Sequence, residues 1–249
     1  MCLNCCSRIQ AISATGTLRV GTSGYSYKEW KGEFYPAKLP DKEMLSFYAA
    51  QFSTVEINHT FYRMPAEKVL AQWAATVPDS FQFALKLNQK ITHVKRLKDA
   101  SDLLKGFLQA ASVMQPSNRL GPILVQVPPY FKFDAAVLEE FLALRPPAFR
   151  FAFEVRHASW HNTATYALLR KHDVALCLAE TDDVAPPDLL TASFAYVRLR
   201  KEEYAPKELA AWRARFDAWL AGGADVYVYL KHEDAAKGPA YARALLKPA

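Results

Sequence analysis

The chain has 249 residues, 51% hydrophobic and 13% aromatic, with a formal net charge of +6 and a pI near 9.0. That composition supplies a core and excludes a disordered or fibrous chain, while no apolar run reaches the ~18 residues of a membrane span. The opening MCLNCCSRIQ lacks the basic and apolar regions of a signal peptide, so a cytoplasmic protein is expected.

Residues 1–17 read as a poorly ordered tail ahead of a domain covering 18–249. Cys2 and Cys5 have a metal-like C-x-x-C spacing beside Cys6, but no second ligand pair follows to close a zinc site. From residue 18 onward, strand-like and helix-like segments alternate. The chain reads LRVGTS (18–23, strand), KEMLSFYAAQF (42–52, helix), TVEIN (54–58, strand), AEKVLAQWAATV (66–77, helix) and FQFALKLN (81–88, strand). It continues with a helix at 100–114, a strand at 122–128, a helix at 135–144, a strand at 150–156 and a helix at 163–172. Strands at 174–180 and 194–200 follow with TDDVAPPDLLTAS, expected to be a loop, between them. A helix at 206–223, a strand at 225–231 and a helix at 238–246 complete the series. Asp134 and Gly222-Gly223 are plausible helix start and stop signals. Eight such units without a linker predict one domain, a TIM-type (β/α)8 barrel, with a doubly wound open sheet as the alternative.

Side chains alternate between the two faces of a strand. In RFAFEVR, Phe151, Phe153 and Val155 share one face, while Ala152, Glu154 and Arg156 share the other. The same division sets Val55 and Ile57 against Glu56 and Asn58, and Leu85 against Lys86. It sets Val125 against Gln126, Val197 and Leu199 against Tyr196, Arg198 and Arg200, and Val228 against Tyr229 and Lys231. The aliphatic faces suit packing under helices. The polar faces then point into the barrel and gather towards the strands' C-terminal ends, where barrel enzymes place their sites. Glu154, Arg156, Arg198 and Glu56 could equally form a satisfied internal salt-bridge network. Cys177, inside VALCLA, reads as a small buried hydrophobe.

Several long motifs in order, VGTSGYSYKEWKGEFYP (20–36), FSTVEINHTFYRMP (52–65), LVQVPPYFKFD (124–134), FAFEVRHASW (151–160), FAYVRLR (194–200) and DVYVYLKHEDAAKGPAYARAL (225–245), resemble the YecE-like family, domain of unknown function 72. The resemblance implies a TIM-type barrel and brings no established activity. Some relatives carry an Asn/Asp-rich stretch after the last strand, where this chain has Lys231 and His232.

Glu56, His59, His93, Glu154, His157, Glu180, Asp182, His232 and Glu233 could be metal ligands. Parity, however, turns His59 and His157 away from Glu56 and Glu154, and nearby cations compete for those carboxylates. No metal or other cofactor is expected. The cations favour an anion, since arginine offers a planar fork to phosphate or carboxylate. KLNQKITHVKRLK (86–98) is either a solvated face or an anion-attracting rim. Tyr25, Tyr27, Trp30, Phe61, Tyr62 and Trp160 could stack on a base or sugar. The expected binding residues are Tyr25, Asn58, Lys86, Gln126, Arg156, Trp160, Arg198, Arg200, Tyr229 and Lys231. Glu154, Glu56 and His93 are the acid/base candidates.

Three readings follow. The first is a hydrolase or lyase acting on a phosphate-bearing ligand, such as a nucleotide, phosphosugar or single-stranded nucleic acid. The second is a non-catalytic module binding an anionic metabolite or nucleic acid. The third is a glycosidase-like enzyme using Glu56 and Glu154.

Overall fold

A computed structural model describes residues 15–231 and 236–247. Cys2, Cys5, Cys6, His232 and Glu233, weighed above as metal ligands, lie outside the described residues. The eight β-rich runs form β1 (Leu18–Thr22), β2 (Thr54–Ile57), β3 (Gln82–Lys86), β4 (Leu120–Gln126), β5 (Phe151–Glu154), β6 (Ala175–Glu180), β7 (Phe194–Leu199) and β8 (Asp225–Leu230). All paired neighbours are parallel, in the order β1-β8-β7-β6-β5-β4-β3-β2.

Helices follow most strands: α1 (Met44–Ala49), α3 (Glu67–Thr76), α4 (Ser101–Ser112), α5 (Ala135–Ala143), α6 (Thr163–Lys171), α7 (Pro206–Ala221) and α8 (Lys237–Leu246). A single turn, α2 (His59–Tyr62), sits just beyond β2. Residues 181–193 carry no helix, as their paired prolines predict. Asp134 caps α5 by accepting from the Val137 amide, and Gly222 ends α7. Among the described residues, no helix is long and apolar enough to cross a membrane.

Parity decides which side of the sheet each residue occupies. Val55, Leu85, Val125, Phe153, Val197 and Val228 pack in the layer between strands and helices. The barrel interior is a separate cluster of Ala84, Leu124, Ala152, Ala175, Cys177, Phe194, Tyr196, Tyr227 and Tyr229. Large rings on β7 and β8 thus share the interior with small residues on β3, β5 and β6, as filling a narrow cylinder requires.

The sheet closes between β1 and β2 by a different device. Ser23 and Glu56 form an isolated parallel bridge, and the Gly24 amide donates to the Glu56 carbonyl at 2.8 Å. Below that, the Tyr48 hydroxyl from α1 is inserted into the seam. It accepts from the Thr22 amide at 2.7 Å and donates to the Thr54 carbonyl at 3.1 Å. Those two backbone groups would otherwise be buried without partners.

Candidate functional site at the C-terminal mouth

The strand ends converge on Arg198, which projects inward from β7 and is only 2% exposed. Its Nη1 donates to Glu154 Oε2 on β5 at 2.5 Å, and its Nη2 donates to Glu56 Oε1 on β2 at 2.8 Å. Glu56, 0% exposed, also accepts from Ser23 Oγ at 2.6 Å and from the Tyr196 hydroxyl at 2.7 Å. Asn58 Nδ2 donates to Ser23 Oγ at 2.8 Å. One guanidinium therefore ties β2, β5 and β7 together through two buried carboxylates. Each ion is paired, as a dry interior requires.

The second oxygen of Glu154 faces the cavity side. Arg156 Nε donates to it at 3.2 Å, and Arg200 Nη1 lies 3.7 Å away. Burial alone would raise the Glu154 carboxyl, but Arg198, then Arg156, the Gln126 amide and Arg200 outweigh it and hold the group down at about 2. Gln126 stands opposite Glu154 in the strand register. Its amide nitrogen makes no well-formed hydrogen bond, yet lies near enough to favour the ionised carboxylate.

Arg156 and Arg200 keep side-chain exposures of 35% and 22%. With Glu154, His161, Thr181 and Pro129 they line a cavity of about 610 Å³ formed by the loops beyond β4, β5, β6 and β7. Burial lowers the His161 pKa, so its ring is neutral there.

Across the mouth, Lys86 ends β3 on the same inner face. Its Nζ sits 4.1 Å from the centre of the Phe61 ring, which α2 supplies. Burial and the nearby Arg198 push the Lys86 ammonium down to about 8, against the pull of Glu56 and Glu154. His93 packs edge-on to the same ring, with centroids 4.9 Å apart, and its Nδ1 shares a 2.9 Å hydrogen bond with Thr92 Oγ1. Burial, then Lys86 and Arg156, lowers its pKa, leaving a neutral imidazole.

Other expected binding residues lie elsewhere. Trp160 is a correction: it is 0% exposed, donates through Nε1 to the Phe131 carbonyl, and packs among Phe131, Phe133 and Phe153. Its position after a strand suggested a mouth, but β5 ends at Glu154 and a short turn at Ala158–Trp160 folds the indole into the core. Tyr229 is also buried, below the mouth, its ring tilted against Tyr196 with centroids 5.0 Å apart and its hydroxyl bonded to Thr54 Oγ1 at 2.9 Å. Trp30 is buried, while Tyr62 is exposed. Tyr25 and Asn58 line a smaller neighbouring cavity of about 310 Å³. Lys231 is exposed just beyond β8. Of the basic side chains in 86–98, Lys86 lies at the mouth, whereas Lys90, Arg96 and Lys98 are exposed.

Reasoning from sequence omitted Ser23 and His161 from the site. Period two along LRVGTS places Arg19, Gly21 and Ser23 on the inner face, a signal that was available for Ser23. His161 is brought in by an irregular loop and carries no such signal. Among the described residues, no group of three His, Cys, Asp or Glu side chains could hold a metal ion.

Fold and site define the class: a single (β/α)8 barrel with an arginine-rich, carboxylate-buttressed mouth at the strand C-termini. The family model described as "Protein of unknown function DUF72" matches residues 19–249, and the chain belongs to that family. It is 34% identical over 114 residues to the UPF0759 protein YecE of Escherichia coli K12, an alignment spanning 45% of this chain and 41% of that protein. It is 24% identical over 153 residues to the UPF0759 protein YunF of Bacillus subtilis, covering 59% and 53% of the two. The chain thus aligns with about half the length of these curated relatives. A crystal structure of a DUF72 family protein from Thermotoga maritima superposes with a TM-score of 0.78 at 27% identity, covering 92% of this chain and 96% of that one. Another, from Enterococcus faecalis, gives 0.74 at 17% identity and shares the fold, covering 93% and 97%.

Proposed function

We propose that the C-terminal mouth binds a small molecule through a phosphate or carboxylate group, with Arg156 and Arg200 as its direct contacts. One observation carries this reading: four cations, Lys86, Arg156, Arg198 and Arg200, face two carboxylates, a surplus of two positive charges beside a solvent-connected cavity. Arg198 is consumed by Glu56 and Glu154. Arg156 and Arg200 share one Glu154 oxygen and retain donors for a ligand.

In this reading Glu56 and Glu154 are positioning residues that fix Arg198 and aim Arg156. A glycosidase needs two carboxylates across a sugar-sized gap, one of them a protonated acid. Here both clasp a single guanidinium, and Glu154 is held ionised. Burial of Trp160 and Trp30 removes two stacking platforms, which favours a small anionic ligand over a nucleic-acid strand.

The test is binding of ribose 5-phosphate, pyruvate and neutral ribose, followed by thermal shift and calorimetry at low and moderate salt. The anions are expected to bind and to weaken as salt rises. The double variant Arg156→Ala/Arg200→Ala is expected to lose affinity by about 100-fold, from ~1.5 kcal/mol per charge-assisted contact. Equal binding of ribose, or unchanged anion affinity in the double variant, contradicts the reading.

A further inference from the structure

Unlike Arg156, Arg198 and Arg200, Lys86 is in no ion pair with the carboxylates of the mouth. It is half-buried inside the mouth, and among the described residues its Nζ makes no hydrogen bond or ion pair, resting only on the face of Phe61 at 4.1 Å. Carboxylates that could have neutralised it are occupied: Glu56 by Ser23, Tyr196 and Arg198, and Glu154 by Arg198 and Arg156. Other cations repel its positive form, and burial disfavours that form further, so a sizeable fraction of neutral amine is present near pH 8. A desolvated lysine beside other cations is the arrangement that activates an amine as a nucleophile.

His93 packs edge-on against the same Phe61 ring, with centroids 4.9 Å apart. Nδ1 is engaged with Thr92, and among the described residues Nε2 has no hydrogen-bond partner. The backbone carrying it is irregular: Lys90–Val94 form a π-helical turn, and Arg96, Leu97 and Asp99 adopt positive φ of 49°, 69° and 46°. π-turns and left-handed non-glycine residues are costly local choices that cluster at functional sites. Here they bring a neutral imidazole against the same ring as the amine, near enough for Lys86 to act on its charge.

We infer that Lys86 is a nucleophile that condenses with an aldehyde or ketone whose anionic group is held by Arg156 and Arg200. The inference rests on the anion site proposed above. Neutral Nζ attacks the carbonyl carbon, a C–N bond forms, the carbonyl π pair moves to oxygen, and the attached nitrogen gives up one proton as that oxygen takes one. The resulting hydroxyl leaves as water with a second proton, and the nitrogen lone pair closes the C=N bond. Carbonyl compound and ammonium thus give a protonated imine and water, with no oxidant or reductant. His93 Nε2 is the group suited to accept the ammonium proton and to return it to the departing oxygen.

The test is reductive trapping with sodium cyanoborohydride, read by intact mass and peptide mapping. Ribose 5-phosphate probes a phosphate-bearing aldehyde, pyruvate a carboxylate-bearing ketone, and neutral ribose the carbonyl alone. One adduct per chain, at Lys86, is expected with at least one anionic probe, forming at least tenfold faster than at any other lysine or with ribose. Lys86→Arg keeps the charge but cannot form the imine; it is expected to fold, to bind the anion and to lose that adduct. Labelling scattered over surface lysines, or unchanged in Lys86→Arg, overturns the inference. Anion binding without an adduct at Lys86 overturns the imine alone, whereas absence of both overturns the anion site with it.

Discussion

Arg198→Met is expected to lower the stability of the folded protein by about 3–5 kcal/mol, the range for removing one partner from a buried ion cluster. Methionine fills much of the same volume, so the loss is electrostatic rather than a cavity effect. Glu56 and Glu154 would remain in the interior with like charges and no counter-ion between them. Glu154 would keep Arg156, half in solvent, while Glu56 would keep only the Ser23 and Tyr196 hydroxyls. Urea denaturation followed by circular dichroism measures the effect. Adding Glu56→Gln and Glu154→Gln removes the stranded charges and is expected to recover much of the loss. A single-variant loss under ~1 kcal/mol would mean that Arg198 does not hold the two buried carboxylates in place.

Gly21→Ala is the second large effect, and it acts on the barrel rather than the ions. A Cβ built on Gly21 falls 2.0 Å from the Thr54 carbonyl oxygen and 2.9 Å from the Tyr48 hydroxyl. The first of these is backbone of β2 and cannot rotate aside. The alanine therefore separates β1 from β2 at the seam that closes the sheet, displacing both the Tyr48 bridge and the Ser23–Glu56 pair above it. The variant is expected to be recovered mainly as aggregate, with any soluble fraction melting well below the parent. Tyr48→Phe is the milder comparison. It leaves the Thr22 amide and Thr54 carbonyl without their bridge and is expected to cost about 1–3 kcal/mol. Gly21→Ala protein with a parental melting curve would show that the seam tolerates opening.

Period two made the fold and half of the mouth legible in the sequence. It set Val197 and Leu199 against Arg198, and Phe153 against Glu154, and the structure keeps that division on every strand. It also placed Glu56, Lys86, Gln126 and Arg198 at one end of the cylinder. The rule fails once a strand stops. β5 ends at Glu154, so Arg156 and Trp160 belong to irregular backbone: the guanidinium turns back to the carboxylate, and the indole turns into the core. Tyr229 has the expected inward orientation but lies one layer too deep to meet a ligand, because depth along the barrel depends on the register between strands. The π-turn that sets His93 beside Phe61 has no periodic signature at all. Nor could one strand's pattern reveal that both carboxylates would share Arg198, since their pairing spans three strands distant in sequence.

Diffraction from a crystal soaked in dilute tungstate, a heavy-atom mimic of phosphate, tests the anion site at the mouth. An anomalous peak is expected in the C-terminal mouth, within contact of Arg156 and Arg200, and is expected to disappear in Arg156→Ala/Arg200→Ala crystals. The opposite end of the barrel supplies the internal control. There Arg19 and Arg150 line a separate cavity of about 360 Å³, with Asp225 opposing them. A peak confined to that end, or no peak at the mouth, would contradict the account.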